Sequence, residues 1–185
     1  MIEKSISFQS FYKTFIVLLP QTIWEMDRKS FDIKEVLSEV ISNDLRRDPC
    51  YADWIADMAN ITRVFCNILG TPALGFWLGS KRGCKRYHID NVPLRMLVTY
   101  AGKGTEWLPH EAVDLEAFEK GKPNENIVID QSAIQFLNPW DISVFRGGFK
   151  GILHRTPDEA MKGSSILMRL DHPCFWEKIN KQNQG

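Results

Sequence analysis

The sequence predicts an α+β fold with a mainly β core, a small jelly roll or barrel behind an N-terminal helical layer. Three observations carry this. Two amphipathic helical periods precede residue 72. Beyond it, about eight short apolar runs are divided by Gly, Pro, Asn and Asp turn signals. His88-Ile89-Asp90 opens the longest of these runs and His154 follows near the end. In a closed double sheet, such ligands from separate strands converge in the mouth.

The elements follow in order. Thr14–Pro20 is β-branched and apolar and stops at a proline, so it reads as a strand, with Gln21–Ser30 as a connector. Phe31–Asp48 reads as an amphipathic helix, because Ile33, Val36, Leu37, Val40, Ile41 and Leu45 recur at three- and four-residue steps. Ser30 and Asp32 are equal candidates for its cap, and Asp48-Pro49 marks a break. Tyr51–Leu69 reads as a second helix. Trp54, Ile55, Met58, Ile61, Val64, Phe65 and Ile68 keep its period, and Gly70 with Pro72 ends it. Strands are expected at Ala73–Leu78, within Tyr87–Tyr100 after a bend at Asn91-Val92-Pro93, and at Thr105–Leu108. More follow at Asn126–Ile129, Ala133–Leu137, Ile142–Arg146, Gly151–His154 and Ser165–Leu170. His110–Gly121 reads as an acidic loop with one or two helical turns, and the stretch from Asp114 to Glu119 is a candidate lid. Asn138–Asp141 reads as a turn, Thr156–Gly163 as a polar loop and Phe175–Asn180 as a short terminal helix. With no internal repeat and no linker, one domain is expected: residues 1–72 with the first strand and helices, 73–171 as the β core and 172–185 as a tail.

Composition narrows the function classes. Lys+Arg and Asp+Glu are both 23, so formal charge is zero and no basic excess suggests nucleic-acid binding. The most apolar early stretch, residues 15–20, is too short to span a bilayer and lacks the flanks of a signal peptide. Cys50, Cys66, Cys84 and Cys174 form no CxxC pair and no zinc-cage spacing. Free thiols in a cytoplasmic protein, with neither membrane nor nucleic-acid partner, are the expectation.

In an extended strand, side chains at i and i+2 share a face. His88 and Asp90 therefore offer an imidazole and a carboxylate to one point. His154 lies 64 positions beyond Asp90 (154 − 90 = 64), enough for several strands to return the chain there. Two imidazoles and a carboxylate make the facial triad that leaves open positions on a non-haem Fe(II). The alternative for each residue alone is an ordinary histidine and a turn-forming aspartate before Asn91. His154 follows a Gly-rich turn that ends a strand, and a basic residue lies on the next strand, which favours the triad. His110 begins an acidic loop and is expected to be exposed. His172 is a candidate hydrogen-bond partner near the site.

The order HID, RMLVTY, GKGTEWLP, NPWDISVFRGG, LHRTP and ILMRLD resembles the core of the Fe(II)/2-oxoglutarate-dependent dioxygenases. The resemblance implies a double-stranded β-helix, Fe(II) held by His88, Asp90 and His154, and 2-oxoglutarate as co-substrate. It also implies a basic anchor for the far carboxylate, for which Arg169 fits by type. Arg169 lies 15 positions past His154 (169 − 154 = 15), farther than the family's usual spacing, with the loop Thr156–Gly163 as the excess. Arg95 is the rival anchor, Lys162 lies nearer in sequence but in the loop, and a pair with Asp171 is the alternative for Arg169. Thr99, Tyr100, Trp107 and Arg155 are candidate pocket residues, Arg155 beside the distal histidine. The span from Ala73 to Asp171 is similar, more closely, to a bacterial family catalogued as a domain of unknown function. Runs like YHIDNVPLRMLVTYAGKGTEWLP and LHRTP are that family's most recognisable segments. The expected partner is a small-molecule or unknown substrate. Two other classes compete: a non-catalytic protein handling zinc or iron, since a His2Asp set also suits Zn(II) alone, and a cupin-like module that binds a small acid.

Overall fold

The computed structural model describes residues 22–27, 33–38, 41, 43–163 and 165–175. The strand expected at Thr14–Pro20 and most of the helix expected at Phe175–Asn180 lie outside them. The described chain is a mixed helix and antiparallel-sheet structure with a mainly β core. In order it forms β1 (Thr22–Asp27), α1 (Ile33–Ser38), α2 (Asn43–Arg46), α3 (Pro49–Leu69), β2 (Ala73–Gly79), β3 (Leu94–Ala101) and β4 (Glu106–Trp107). Then come α4 (Leu115–Glu119), α5 (Asn124–Ile127), β5 (Gln135–Phe136), β6 (Ile142–Arg146), β7 (His154–Arg155), α6 (Asp158–Lys162) and β8 (Ile166–Asp171). A five-stranded sheet has the order β1-β2-β8-β3-β6 and a three-stranded sheet the order β5-β4-β7.

α3 shows how local chemistry sets an element. The Asp48 side chain accepts a hydrogen bond from the Cys50 N–H, Pro49 occupies the first turn, and Gly70 closes the helix with a left-handed φ of 64°. Asp48-Pro49 is thus a helix start as well as a break. Trp54, Met58 and Phe65 are buried against Phe76, Leu78, Met96, Val98, Met168 and Leu170 of the large sheet. Val64 and Ile68, expected on the same face, are exposed. The buried stripe passes through Thr62 and Cys66 instead.

Several expectations need correction. The connector expected at Gln21–Ser30 holds β1, which pairs with β2 residue for residue from Thr22↔Leu78 to Asp27↔Ala73. Its charged residues hide the alternation that local reading needs. Of the helix expected over Phe31–Asp48, the described residues show two helical segments, α1 and α2, with Ile41 in a bend. The strand expected at Asn126–Ile129 is the helical turn α5 after Pro123, leaving a lone Val113↔Val128 bridge. The strand expected at Gly151–His154 is confined to His154–Arg155, and the polar loop Thr156–Gly163 contains α6.

β8, the last strand among the described residues, enters the sheet between β2 and β3. By strand parity its Ile166, Met168 and Leu170 face the helices, and Leu167, Arg169 and Asp171 face the other way. On that second face Leu97, Phe145 and Leu167 form a small core joined by Trp77, Trp107 and Leu137, which brings β4 of the small sheet against the large one. A cavity of about 440 Å³ lies there, with Trp77, Leu97 and Leu167 among its walls.

Candidate metal centre

His88 stands in extended backbone directly opposite His154. The His88 N–H donates to the His154 carbonyl at 3.1 Å and the His154 N–H donates back at 3.0 Å. This doubly bonded pair brings the rings to 4.5 Å between centroids. Asn124 fixes the approach to His88: its Oδ1 accepts from the Tyr87 N–H at 3.0 Å and its Nδ2 donates to the Lys85 carbonyl at 2.9 Å. Gly147 and Gly148 hold Asp90 from behind. The Gly148 N–H donates to the Asp90 carbonyl at 3.2 Å, and a Cβ on Gly147 would stand 1.8 Å from the Val92 oxygen and 2.5 Å from that of Asp90. Only glycine admits so close an approach.

The side chains meet as expected from the sequence. His88, Asp90 and His154 place ligand atoms within 4.8 Å of one another. His88 Nε2 is 3.8 Å from Asp90 Oδ1, and His154 Nε2 is 3.3 Å from Asp90 Oδ2. Each ring spends its other nitrogen in the same way, His88 Nδ1 on the Arg86 carbonyl and His154 Nδ1 on the Ile152 carbonyl, both at 3.0 Å. A carbonyl only accepts, so Nδ1 carries the proton, and in a neutral ring Nε2 turns a lone pair toward Asp90. Asp90 Oδ2 is buried and has no hydrogen-bond donor. With both rings neutral, two imidazole lone pairs and a carboxylate thus converge and repel one another unless a cation, either a metal ion or a proton on His154 Nε2, sits among them. This donor chemistry fits a divalent metal, with the Nδ1 bonds fixing the tautomers as metal-bound histidines require.

Charge states agree with that reading. Burial pushes His88 below its ordinary value, and the neighbouring His154 pushes it the same way, outweighing the Arg86 carbonyl and Asp90. Burial alone would push the Asp90 carboxyl up. Its contact with His154 and the charge of Arg95 outweigh burial and hold it below the ordinary value.

Arg95 and Arg169 share one buried acid. Arg95 Nη1 contacts Asp90 Oδ1, its Nε donates to Asp171 Oδ1 at 2.6 Å, and Arg169 Nε lies 2.9 Å from Asp171 Oδ2. The registers Arg95↔Asp171 and Leu97↔Arg169 on adjacent strands place these groups side by side. Arg95 therefore occupies Oδ1 of Asp90, the oxygen near His88, and leaves Oδ2 toward His154. Arg169 has the Asp171 contact foreseen as its alternative and also lines the cavity.

The remaining sequence candidates separate. Arg155 lines the cavity beside His154, with its Nε donating to buried Glu106 at 2.8 Å, and Tyr87 contacts the same carboxylate. Thr99 is buried on β3, in register with Leu167. Tyr100, expected as a pocket residue, lies on the helix-facing side of β3, where its hydroxyl donates to Asp57 at 2.7 Å and its ring packs edge-on to Trp54. One step along a strand reverses the face. Trp107 joins the core between the sheets. His172 Nδ1 accepts from the Cys174 N–H at 3.2 Å. Sequence reading missed Arg82, which lines the cavity, and Asn124, which clamps the approach to His88. Arg82 sits in the basic run KRGCKR, which by itself resembles a solvated loop. Asn124 gives no local signal at all.

A His2Asp cluster with Asp90 and His154 buried and His88 half-buried, set between two antiparallel sheets, defines a candidate metal protein of mainly β architecture. The chain belongs to the family described as "Protein of unknown function (DUF1826)", whose model matches residues 7–171. No curated protein matches the chain. Among solved structures it is similar to Peruvianin-I, a cysteine peptidase from Thevetia peruviana latex. The identity is 10% and the TM-score 0.28, with 55% of this chain and 50% of that one covered, so the chain spans about half of that neighbour's length.

Proposed function

We propose that this protein is a metal-dependent oxygenase that holds Fe(II) with His88, Asp90 and His154 and uses 2-oxoglutarate as co-substrate, on a double-stranded β-helix core. One observation carries the reading. The two Nε2 atoms face the Asp90 carboxylate, His88 at 3.8 Å from Oδ1 and His154 at 3.3 Å from Oδ2, buried or half-buried, with the outer nitrogens already committed to carbonyls. Bound Fe(II) would supply coordination of a 2-oxo acid and activation of O2 for oxidation of a small-molecule substrate.

The chain's own residues serve that chemistry in distinct ways. His88 stays neutral, so its lone pair is available. Arg95 holds Asp90 by one oxygen, which orients the other and neutralises charge behind it. Arg169, on β8 and facing the cavity, offers a guanidinium to the co-substrate's far carboxylate. Trp77, Leu97 and Leu167 give the cavity an apolar wall that limits water.

The same donor set suits Zn(II), so a zinc- or iron-handling protein without turnover is the second reading. Anaerobic titration of metal-free protein with Fe(II) and then 2-oxoglutarate, read by visible absorption, separates the two. A weak metal-to-ligand charge-transfer band that needs both additions and is lost in His88→Ala is the expected result. Stoichiometric metal binding without the band would select metal handling, and absence of metal binding would remove both readings.

A further inference from the structure

The cavity beside the metal cluster is strongly cationic. Lys81, Arg82, Arg95, Arg155 and Arg169 all line it, and among the described residues no acid does. The acids behind the wall are unevenly shared. Arg95 has Asp90 and Asp171, Arg169 has Asp171, and Arg155 has Glu106 and Asp158. Among the described residues, Arg82 has no acidic partner. Its guanidinium is held only by neutral groups: Nη1 donates to Ser165 Oγ at 3.1 Å and the Lys103 carbonyl at 3.4 Å, and Nη2 to Thr105 Oγ1 at 3.4 Å. Ser165 and Thr105 are themselves buried. Burial pushes the Arg82 guanidinium down to about 10, so it remains charged at neutral pH.

A half-buried cation without a counter-charge is disfavoured. The other cavity arginines avoid that cost within the chain, and Arg82 does not. Its planar fork has five donors, and these three contacts are to neutral acceptors, two of them at the long end of hydrogen bonding. We infer that Arg82 is the anion anchor of this cavity, and that the molecule admitted is a small organic acid. Its carboxylate meets Arg82, and its carbon body lies along Trp77, Leu97 and Leu167. A divalent ion at the histidine pole would raise the demand for an anion further. The proposal deepens the oxygenase reading and rests on it only for that second pole. The carboxylate has two sources, a separate acid substrate or, with Arg82 taking the place given above to Arg169, the far end of a 2-oxo diacid, and both present the same chemistry to Arg82.

The test uses the full chain loaded with redox-inert Zn(II), and the same protein without metal. Three probes are titrated by calorimetry: 2-oxoglutarate, pyruvate as a 2-oxo acid without a second carboxylate, and phenylacetate as an acid with an apolar body and no 2-oxo group. Arg82→Gln should weaken 2-oxoglutarate or phenylacetate by about tenfold or more, while pyruvate and Zn(II) affinities hold. Arg82→Lys, which keeps the charge without the fork, should recover part of the loss. A loss confined to 2-oxoglutarate assigns the anchor to the co-substrate, and one confined to phenylacetate assigns it to the substrate. Equal affinities in wild type and Arg82→Gln would overturn the proposal, as would failure of the wild type to bind either acid. If Arg82→Gln does not fold, Arg82→Lys carries the decision, since unchanged acid affinity there rejects the fork. Acid binding that needs Arg82 in a protein that takes up no Zn(II) would leave the anchor standing while the metal reading fell. Normal Zn(II) binding with acid affinities indifferent to residue 82 would do the reverse.

Discussion

The two faces of the five-stranded sheet are made by the same strands and do different work. On the helix side, Met96, Val98 and Tyr100 of β3 and Ile166, Met168 and Leu170 of β8 pack under α3. On the cavity side, the alternate residues of the same strands are Arg95, Leu97, Thr99, Leu167, Arg169 and Asp171, three of them ionisable. Strand alternation puts an apolar core and a charged site one side chain apart. The apolar face can support the site because it asks nothing of the polar one. Helix packing supplies rigidity, and the cavity face then holds a buried charge cluster that packing alone would not favour.

That separation is open to direct attack. Trp54→Ala, on the helix side, should cost about 3–5 kcal/mol of stability and leave metal affinity of the folded protein unchanged. Chemical denaturation and metal titration check the two halves. A parallel loss of metal affinity would show the faces to be coupled. Gly147→Ala, beneath Asp90, should cost about 1–3 kcal/mol through the carbonyl clash, with weaker metal binding because the Asp90 backbone must move. Arg95→Gln should reduce metal affinity by about 10–100-fold, since Asp90 loses the group that orients it. Isothermal titration with Zn(II) reads this without redox chemistry. Tyr100→Phe should cost only about 0.5–1.5 kcal/mol, the worth of its bond to Asp57, and leave both metal and acid binding intact. Loss of either would place Tyr100 in the site after all.

Proton linkage gives a milder test. The unfolded chain binds a proton at His88 more readily than the folded one, so stability should begin to fall as pH drops below the ordinary histidine value of 6.5. Asp90 acts in the same direction at lower pH. Its contribution is complete above the ordinary value of 3.8 and is lost as pH falls through its depressed folded value. Asp90→Asn should remove that lower limb, which melting curves from pH 7 to pH 3 would show.

Much of the candidate site was legible because its logic is local. The i, i+2 parity of His88 and Asp90 needs only an extended backbone, and α3 carries its own cap, first-turn proline and terminal glycine. The Arg169–Asp171 contact also followed from parity. Tyr100 shows where local reading stops. It lies on a strand near the motif, but its face depends on where the strand begins, and the bend at 91–93 obscured that start.

The sequence by itself determined the periodic elements and the residue types that can bind metal, because steric preference and apolar spacing act between near neighbours. Tertiary structure alone decided what meets what. It inserted β8 between β2 and β3, bringing Asp171 to Arg95 across 76 positions. It set Asn124 against the backbone before His88, and it turned Arg82 from a basic loop to the cavity wall, against Ser165 83 positions away. Such pairings are chosen by the burial and charge balance of the whole fold. No window of neighbouring residues contains both partners.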